Sequence, residues 1–184
     1  KTDNQGDTIW TKSFGNLTTD DWFDDGIQTT DGGFIVVGQK NITNFNDIGG
    51  GWLIKTNSAG ESLFSESYGA PGTRLKSIKQ TIDGGYIILG NTYNPFNFLL
   101  IKIDSQGNEQ WSHIFGGANG DFGISIQQTT DEGFILTGTT GSFGNGEFDI
   151  WLIKTDAQGN EVWSQTFGGQ YQDRPHEVQQ TNDG

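Results

Sequence analysis

The sequence predicts an all-β fold made of β-propeller blades, each a four-stranded antiparallel sheet of about fifty residues, in a fragment of a larger propeller. Three observations lead to this prediction. Sequence landmarks return at intervals of roughly fifty residues, short apolar runs of strand length alternate with glycine-rich turns, and helical periodicity is absent. The 29 glycines, set against only 3 prolines, indicate many tight turns between well-packed strands.

The first landmark is a hexapeptide that starts with lysine and ends with glycine, and an aromatic residue follows each copy. The copies are Lys1–Gly6, Lys55–Gly60, Lys102–Gly107 and Lys154–Gly159. The aromatic residues that follow them are Trp10, Phe64, Trp111 and Trp163. We expect these four side chains to be structural anchors between blades. For Trp111, taken as fully buried, replacement by alanine is expected to cost about 3–5 kcal/mol.

The second landmark is an Asp-Gly or Asp-Glu turn that precedes an aromatic residue and an apolar run. The copies are Asp31–Phe34, Asp83–Tyr86 and Asp131–Phe134, and glutamine stands three residues before each aspartate. Asp-Gly between apolar runs predicts a hairpin with a type I′ turn. The apolar runs that follow are continuous rather than alternating, and so are those of the next strands. This pattern predicts strands that are buried on both faces, as in blades that pack against their neighbours.

These landmarks divide the chain into one repeat domain, residues 1–184. Its predicted parts are a partial blade (1–21), three blades (about 22–69, 70–117 and 118–169) and a second partial blade (170–184). Three blades do not close a ring, because propellers use about four to eight. We therefore expect the sequence to be a section of a longer array.

The charge of the chain argues against two classes of partner. Lys+Arg 10 against Asp+Glu 23 gives a net charge of −13, which repels a phosphate backbone and an anionic membrane surface. No apolar run approaches the roughly 18 residues of a membrane span, so membrane insertion is not expected. The absence of cysteine excludes disulfides and thiolate zinc sites. No cofactor is expected, with calcium as the one ion that the sequence allows.

The candidate calcium ligands form the densest acidic cluster: Asp20, Asp21, Asp24 and Asp25. Carboxylate oxygens in a loop are the ligands that calcium prefers. The cluster lacks the regular Asp-x-Asp-x-Asp spacing of the strongest calcium motifs. A solvated loop between two blades is the competing interpretation.

Binding is predicted in the variable segments that precede the third strands, at about 41–50, 91–96 and 140–147, because loops carry function on a repeated frame. Phe45, Tyr93 and Phe143 are the aromatic residues there that can contact a glycan or a protein. Asn16 and Asn41 each begin an Asn-x-Thr triplet and are candidate glycosylation sites.

The run from Trp151 to Trp163, WLIKTDAQGNEVW, resembles the third-to-fourth strand hairpin of quinoprotein-like (PQQ-like) propellers. The whole unit is similar to secreted bacterial and archaeal propeller repeats that read WLIKTD, GN, W and FGG in that order. This resemblance covers essentially all 184 residues. It implies an extracellular or cell-surface protein in which each fourth-strand tryptophan packs on the next blade. Two positions depart from the pattern. The first complete unit has Phe64 in place of the tryptophan, and the second has Asn97-Phe98 where the third has Asp149-Ile150.

The function that the sequence favours is a non-catalytic module that serves as a binding platform or a structural spacer, with glycan or protein at the variable loops and further blades of the same chain as partners. One alternative is part of a propeller enzyme that acts on polysaccharide with its site in the complete ring. Another is the repeat unit of a filament or solenoid. His113 and His176 lack the partner spacing of a catalytic triad or a zinc site.

Overall fold

The computed structural model describes residues 1–15, 18, 20–42 and 49–182. Within them, three antiparallel sheets have four strands each, ordered as in the chain. The first sheet contains β1 (Asp20–Gln28), β2 (Phe34–Ile42), β3 (Gly50–Thr56) and β4 (Ser62–Tyr68). The second contains β5 (Arg74–Gln80), β6 (Tyr86–Asn91), β7 (Phe98–Ile103) and β8 (Glu109–Phe115). The third contains β9 (Asp121–Gln128), β10 (Phe134–Thr140), β11 (Asp149–Thr155) and β12 (Glu161–Phe167).

The all-β, blade-like prediction is confirmed, and the three sheets are not closed into a ring. No helix occurs in the described ranges, and hence none that is long and apolar enough to span a bilayer. Two ends of each sheet are distinguished below. The turn end carries the tight turns that join strands one to two and three to four. The loop end carries the longer loops between strands two and three and the connection to the next sheet.

The middle sheet is buried on both faces. Every residue of β6 and β7 is buried. Alternate side chains of β6 enter opposite cores: Ile88 packs with residues of the first sheet, and Leu89 packs with residues of the third. Two-sided burial of the apolar strands, the central expectation from the sequence, is therefore confirmed for the middle sheet.

The three sheets are built in register with one another. Ile35, Ile87 and Ile135 each pair with the lysine of the neighbouring third strand, which is Lys55, Lys102 and Lys154 respectively. The third sheet differs in its environment, because β11 alternates between buried and half-buried residues. Alternation of this kind marks a sheet with one covered face. Among the described residues, no fourth sheet covers the other face.

The recurring aromatic residues pack onto the turn end of the following sheet. Trp10 lies 5.6 Å from Phe34, and Trp111 lies 5.9 Å from Phe134, between ring centroids. A Cβ added to Gly60, Gly107 or Gly159 would approach within 2.8 Å of Trp10, Phe64 or Trp111 respectively, so only glycine permits this contact. Trp163 has no described sheet beyond it and is 42% exposed.

The expectation that Trp111 is fully buried is wrong, since its ring is half-buried. The ring lies across the edge of the interface, where one side contacts the next turn and the other faces solvent. The ring nevertheless packs against Phe134 of the following sheet.

The recurring glutamines hydrogen-bond one sheet to the turn of the sheet before it. The side-chain oxygen of Gln80 accepts from the backbone N–H of Thr30, at 2.9 Å. Gln128 accepts from Ile82 in the same way, and Gln180 accepts from Thr130, also at 2.9 Å. Because each bond satisfies a turn N–H across the interface, the glutamine fixes how far successive sheets slide past one another.

A lysine of the third strand forms an ion pair with the aspartate of the first turn within each sheet; Lys55 and Lys102 are buried, and Lys154 is half-buried. The ion pairs are Lys55–Asp31 at 2.8 Å, Lys102–Asp83 at 2.9 Å and Lys154–Asp131 at 2.9 Å. Hydrogen bonds from Thr129 and then from Lys154 lower the pKa of Asp131 to about 2. The ammonium group that burial would otherwise penalise thus always has an ionised partner.

The Asp-Gly turns are not of type I′, which corrects the sequence prediction. Type I′ requires positive φ at both central residues, whereas in the first turn only Gly32 has positive φ, at 79°. Gly32 N–H donates to Thr29 O at 2.9 Å, and Thr29 N–H donates to Gly33 O at 3.0 Å. This is the three-residue hairpin, in which a left-handed residue follows the turn. The Asp-Gly signal does not distinguish the two.

The third turn places Glu132 in the left-handed position, with φ 66°, where the other two turns have glycine. That conformation costs a residue with a side chain about 1–2 kcal/mol. Glycine avoids this strain, but part of the gain is offset because glycine has more conformational entropy to lose on folding. We expect Glu132→Gly to raise the free energy of unfolding by about 0.5–1 kcal/mol in denaturant melts. The matched reverse change, Gly84→Ala, is expected to lower it by a similar amount, because a Cβ at Gly84 meets nothing within 4 Å and only the backbone is strained. Equal stability of Glu132→Gly and the parent would contradict this account.

The two tryptophans of equivalent position test the packing between sheets. Trp111→Ala removes a half-buried ring from an interface and is expected to cost about 2–3 kcal/mol, somewhat less than for a full core site. Trp163→Ala removes a ring with no described sheet beyond it and is expected to cost less than about 1 kcal/mol. Urea melts of the two variants measure the difference. Equal costs would show that the second interface does not depend on this ring.

Candidate ligand-binding site

The loop end of the second and third sheets brings together residues that are far apart in sequence. Arg74 pairs with Asn91, and Asp121 pairs with Thr140, so the first strands begin where the second strands end. The loops 92–97 and 141–148 therefore emerge beside the starts of β5 and β9. Side chains from four segments meet at this place.

Four aromatic rings form a continuous series across these segments, and we call them the aromatic row: Tyr93, Phe96, Phe122 and Phe148. The successive ring centroids are 5.2, 5.1 and 6.0 Å apart. Tyr93 is 47% exposed and Phe96 is 39% exposed. The row thus has packed contacts along its length and presents part of its surface to solvent.

Two adjoining depressions lie along the aromatic row, and Phe122 and Ile124 line both of them. The first has a volume of about 310 Å³, and its polar lining is Arg74, Lys76, Asn91 and Thr92. The second has a volume of about 280 Å³, and its polar lining is Thr139 and Arg174. An apolar floor with a few polar groups at the edge is the usual composition of a small-molecule site.

An ion-pair network borders the first depression and joins the first two sheets. Arg74 donates two hydrogen bonds to the carboxylate of Asp24, both at 2.7 Å, and Lys76 donates a third at 2.6 Å. The guanidinium of Arg74 also lies over the ring of Trp22, 5.5 Å from its centroid. Arg74 is held in one orientation by these contacts and remains partly exposed.

Burial opposes ionisation of Asp24, but hydrogen bonds from Arg74 and Lys76 outweigh it and lower the pKa of the carboxyl below its ordinary value of 3.8. Asp24 therefore stays ionised well below neutral pH. Its single negative charge faces two cations, so this edge of the site is net positive in a chain whose net charge is −13.

The position of Arg74 recurs in each unit. Trp22, Arg74, Phe122 and Arg174 each stand six residues before the recurring glutamine. The two arginines of the chain are therefore in equivalent positions of alternate units and line the two depressions. Alignment of the units on the glutamine is the sequence signal that would have found Arg74, Phe122 and Arg174. Phe96 and Phe148, on loops of different sequence, carry no such signal.

The acidic cluster is placed differently from the prediction. It lies on strand β1 rather than in a loop between two blades. Asp24 binds Arg74 and Lys76, and Asp25 accepts a hydrogen bond from the backbone N–H of Ile78 at 2.9 Å. In the described ranges no three or more acidic, histidine or cysteine side chains gather as metal ligands, and that includes Asp20 and Asp21. The loop assignment was wrong because a run of aspartates is typical of a loop. Here the run belongs to a strand whose polar side chains face the next sheet.

The predicted binding aromatics have separate positions. Tyr93 is part of the aromatic row. Phe143 packs against Trp151 with centroids 4.9 Å apart and lines another groove, of about 490 Å³, with Ile114 and Thr166. Phe45 and Asn16 lie outside the described residues, and of Asn41 only the backbone is described, at the end of β2. His113 lies on β8 with Nε2 2.9 Å from Gln158 O, which is a contact between sheets.

The comparisons with known proteins support the fold alone. No family model matches the sequence, and no curated protein matches it. Among solved structures, the chain is similar to a protein of unknown function from Bacteroides caccae, with a TM-score of 0.64 and 10% identity. The similarity covers 98% of this chain and 56% of that one, so this chain spans little more than half the length of its structural neighbour.

The Asp24 network predicts a specific dependence of stability on pH. A carboxyl whose pKa is lowered by folding stabilises the protein above its ordinary pKa, and this contribution is lost as the pH falls through the lowered value. We expect Asp24→Asn to cost about 1–2 kcal/mol near pH 7, where it leaves Arg74 and Lys76 without their carboxylate. Denaturant melts should show this difference shrinking as the pH falls below the ordinary carboxyl pKa of 3.8. The exposed Glu147→Gln is the control for loss of charge, and an undiminished difference in acid would contradict the ion-pair account.

Proposed function

We propose that this chain is a section of a β-propeller of the secreted, quinoprotein-like repeat type, and that it acts at the cell surface or outside the cell as a non-catalytic platform that binds a glycan. The observation that carries the proposal is the aromatic row with its two adjoining depressions. Sugar rings have apolar faces that stack on aromatic rings, and hydroxyl groups that hydrogen-bond at the edges. The row offers both kinds of contact in a linear arrangement.

The size of the depressions favours a glycan over a protein partner. At about 310 and 280 Å³ they are at the lower limit of the range of small-molecule sites. A stable protein interface needs about 800 Å² from each partner, with a central apolar patch. Two shallow depressions that share Phe122 instead match two neighbouring sugar units of one chain.

The polar lining supplies what a glycan needs beyond stacking. Asn91 and Thr92 border the first depression, and Thr139 borders the second. Arg74 is oriented by Asp24, so binding does not have to order it, which reduces the entropy cost of association. The hydrogen bonds between Asp24 and Arg74 thus raise the affinity for the glycan by holding the Arg74 side chain in place before binding.

The quinoprotein-like part of the proposal requires further blades of the same repeat, and the third sheet supports it. Its half-covered face has a groove of about 310 Å³ lined by Ile135, Leu152, Trp163 and Gln180. At the two described interfaces, the equivalent residues are covered by a four-stranded sheet of the same kind. We infer that such a sheet covers this face in the complete propeller. In a chain that includes it, Trp163→Ala should cost as much as Trp111→Ala.

The glycan proposal is tested by screening the chain on an immobilised glycan array and measuring the best ligand by calorimetry. Tyr93→Ala and Phe122→Ala are expected to weaken binding at least about tenfold, because each removes a stacking surface worth roughly 1.4 kcal/mol. Phe143→Ala, an equally exposed aromatic outside the row, is the matched control and should leave affinity unchanged.

Three outcomes would overturn the proposal. Binding to no glycan on the array removes it. Equal affinity of Tyr93→Ala and the parent, with the fold intact by circular dichroism, moves the site elsewhere. Release of shortened products from a bound polysaccharide would replace the platform by the alternative of an enzyme.

A further inference from the structure

The connection between successive sheets contains the same small arrangement in each unit. It consists of three residues. They are the glycine that follows the fourth strand, the residue five positions before the lysine of the third strand, and the residue seven positions before the next recurring glutamine. In the last connection these are Gly168, Asp149 and Asp173. A Cβ on Gly168 would overlap Asp149 Oδ1 and lie 2.6 Å from Asp173 Oδ2, so the two carboxylates converge on one point beside the glycine.

The unpartnered polar atoms of the protein occur at this same place. Among the described residues, three buried side-chain oxygens have no hydrogen-bond partner: Thr73 Oγ1, Asn97 Oδ1 and Asp149 Oδ1. Thr73 lies beside Gly69, Asn97 beside Gly116 and Asp149 beside Gly168. The connection between units is therefore a recurring polar cradle whose oxygens the protein itself does not fully satisfy.

Asp149 is the one carboxylate among these three residues. It is 2% exposed, and its Oδ2 accepts from the backbone N–H of Asn145 at 2.5 Å, whereas Oδ1 has no donor. Across from it, Asp173 Oδ2 accepts from Gly169 N–H at 3.0 Å and retains a second lone pair. No lysine or arginine in the described part of the chain forms an ion pair with either residue. A buried carboxylate oxygen without a donor or a cation is strongly unfavourable.

We propose that Asp149 and Asp173 bind a divalent cation, Ca²⁺, at the connection that follows the third sheet. Calcium binds oxygen ligands at about 2.3–2.6 Å and accepts carboxylates, backbone carbonyls and water in irregular geometry. Two carboxylates that converge on one point can share a single ion. The two negative charges of the pair match one divalent cation.

The preceding connection has a single carboxylate, and that carboxylate is hydrogen-bonded by the protein itself. There Asn97 replaces the first aspartate, and Asp121 corresponds to Asp173. Asp121 accepts from Thr140 Oγ1, from Gly117 N–H and from Ser142 Oγ. One carboxylate with three protein donors needs no counterion, so this connection is an internal comparison for the proposed site.

The cation would join two segments of the structure, the loop that precedes β11 and the chain that follows the third sheet. Asp149 begins β11, and its loop, 141–148, wraps over it through the Asn145 hydrogen bond. Asp173 belongs to the segment after the third sheet, and its N–H donates to Phe148 O at 2.7 Å. Bound calcium would fix the direction in which the chain leaves the third sheet.

The test is calorimetric titration of the chelator-treated chain with CaCl₂, together with thermal melts in calcium and in chelator. We expect one site with a dissociation constant on the order of 10⁻⁴–10⁻³ M, as in extracellular calcium modules, and a melting temperature that rises with calcium. Asp149→Asn, which copies the natural Asn97, is expected to weaken binding at least about tenfold. Asp104→Asn, which copies the natural Asn57 in an exposed turn, removes the same charge and should bind as the parent does.

Absence of binding at millimolar calcium would overturn the proposal, as would equal affinity of Asp149→Asn and the parent. If Asp149→Asn does not fold, Asp173→Asn makes the same test from the other side of the pair. Loss of binding in Asp104→Asn would show a diffuse effect of net charge rather than a site. Phe122→Ala keeps the site intact, so its calcium affinity separates this inference from the glycan proposal.

Discussion

The structure depends on the burial of both faces of its central strands. A sheet whose second and third strands are apolar on both sides is unstable alone in water, and it becomes stable only between two others. The middle sheet has this environment: Ile88 and Leu89, adjacent in sequence, belong to different cores. Each unit therefore contributes half of two interfaces rather than one core of its own. This is the energetic reason why the repeat recurs as an array.

The turn end and the loop end of the units have different tasks. At the turn end, glutamine, glycine and the fourth-strand aromatic recur with the same contacts at each interface. These contacts set the spacing and rotation of successive sheets, so a change in one would disturb all. At the loop end the equivalent positions differ from unit to unit, as Trp22, Arg74 and Phe122 do. Chemistry can vary there because the alignment of the sheets is already determined elsewhere.

The sequence predicted what depends on short-range pattern. The strands, their two-sided burial and the order of units all follow from periodicity within a unit. The turn type was wrong because an Asp-Gly pair fits two hairpins that differ only in which residues have positive φ. The half-burial of Trp111 was not predicted because a recurring aromatic residue indicates only that its ring packs against a neighbour. It does not indicate how much of the ring the next turn covers.

The site itself was largely beyond prediction for a different reason. Asp24 and Arg74 are fifty residues apart, and no sequence motif around either residue indicates that they form an ion pair. Of the aromatic row, only Tyr93 was identified, because Phe122 lies at the start of a strand and reads as ordinary strand composition. The equivalent positions of Arg74 and Phe122 can be recognised only when the units are aligned on the recurring glutamine. The hydrogen bonds of that glutamine in the structure show its role in spacing the sheets.

The three connections that follow the first, second and third sheets show how far the loop end can change while the sheets remain aligned. One places Thr73 beside the glycine, the next places Asn97 and a fully hydrogen-bonded Asp121, and the last places Asp149 and Asp173. Their charge therefore rises from zero to one to two carboxylates within one backbone frame. A glycine is needed in all three because a Cβ would overlap a side-chain oxygen in each. The frame therefore restricts the size of the residue at this position but not the charge of its neighbours. A repeat of this kind can acquire an ion site or a ligand site at its loop end by single substitutions. The buried apolar residues that stabilise the fold lie elsewhere, in the central strands, and are not affected.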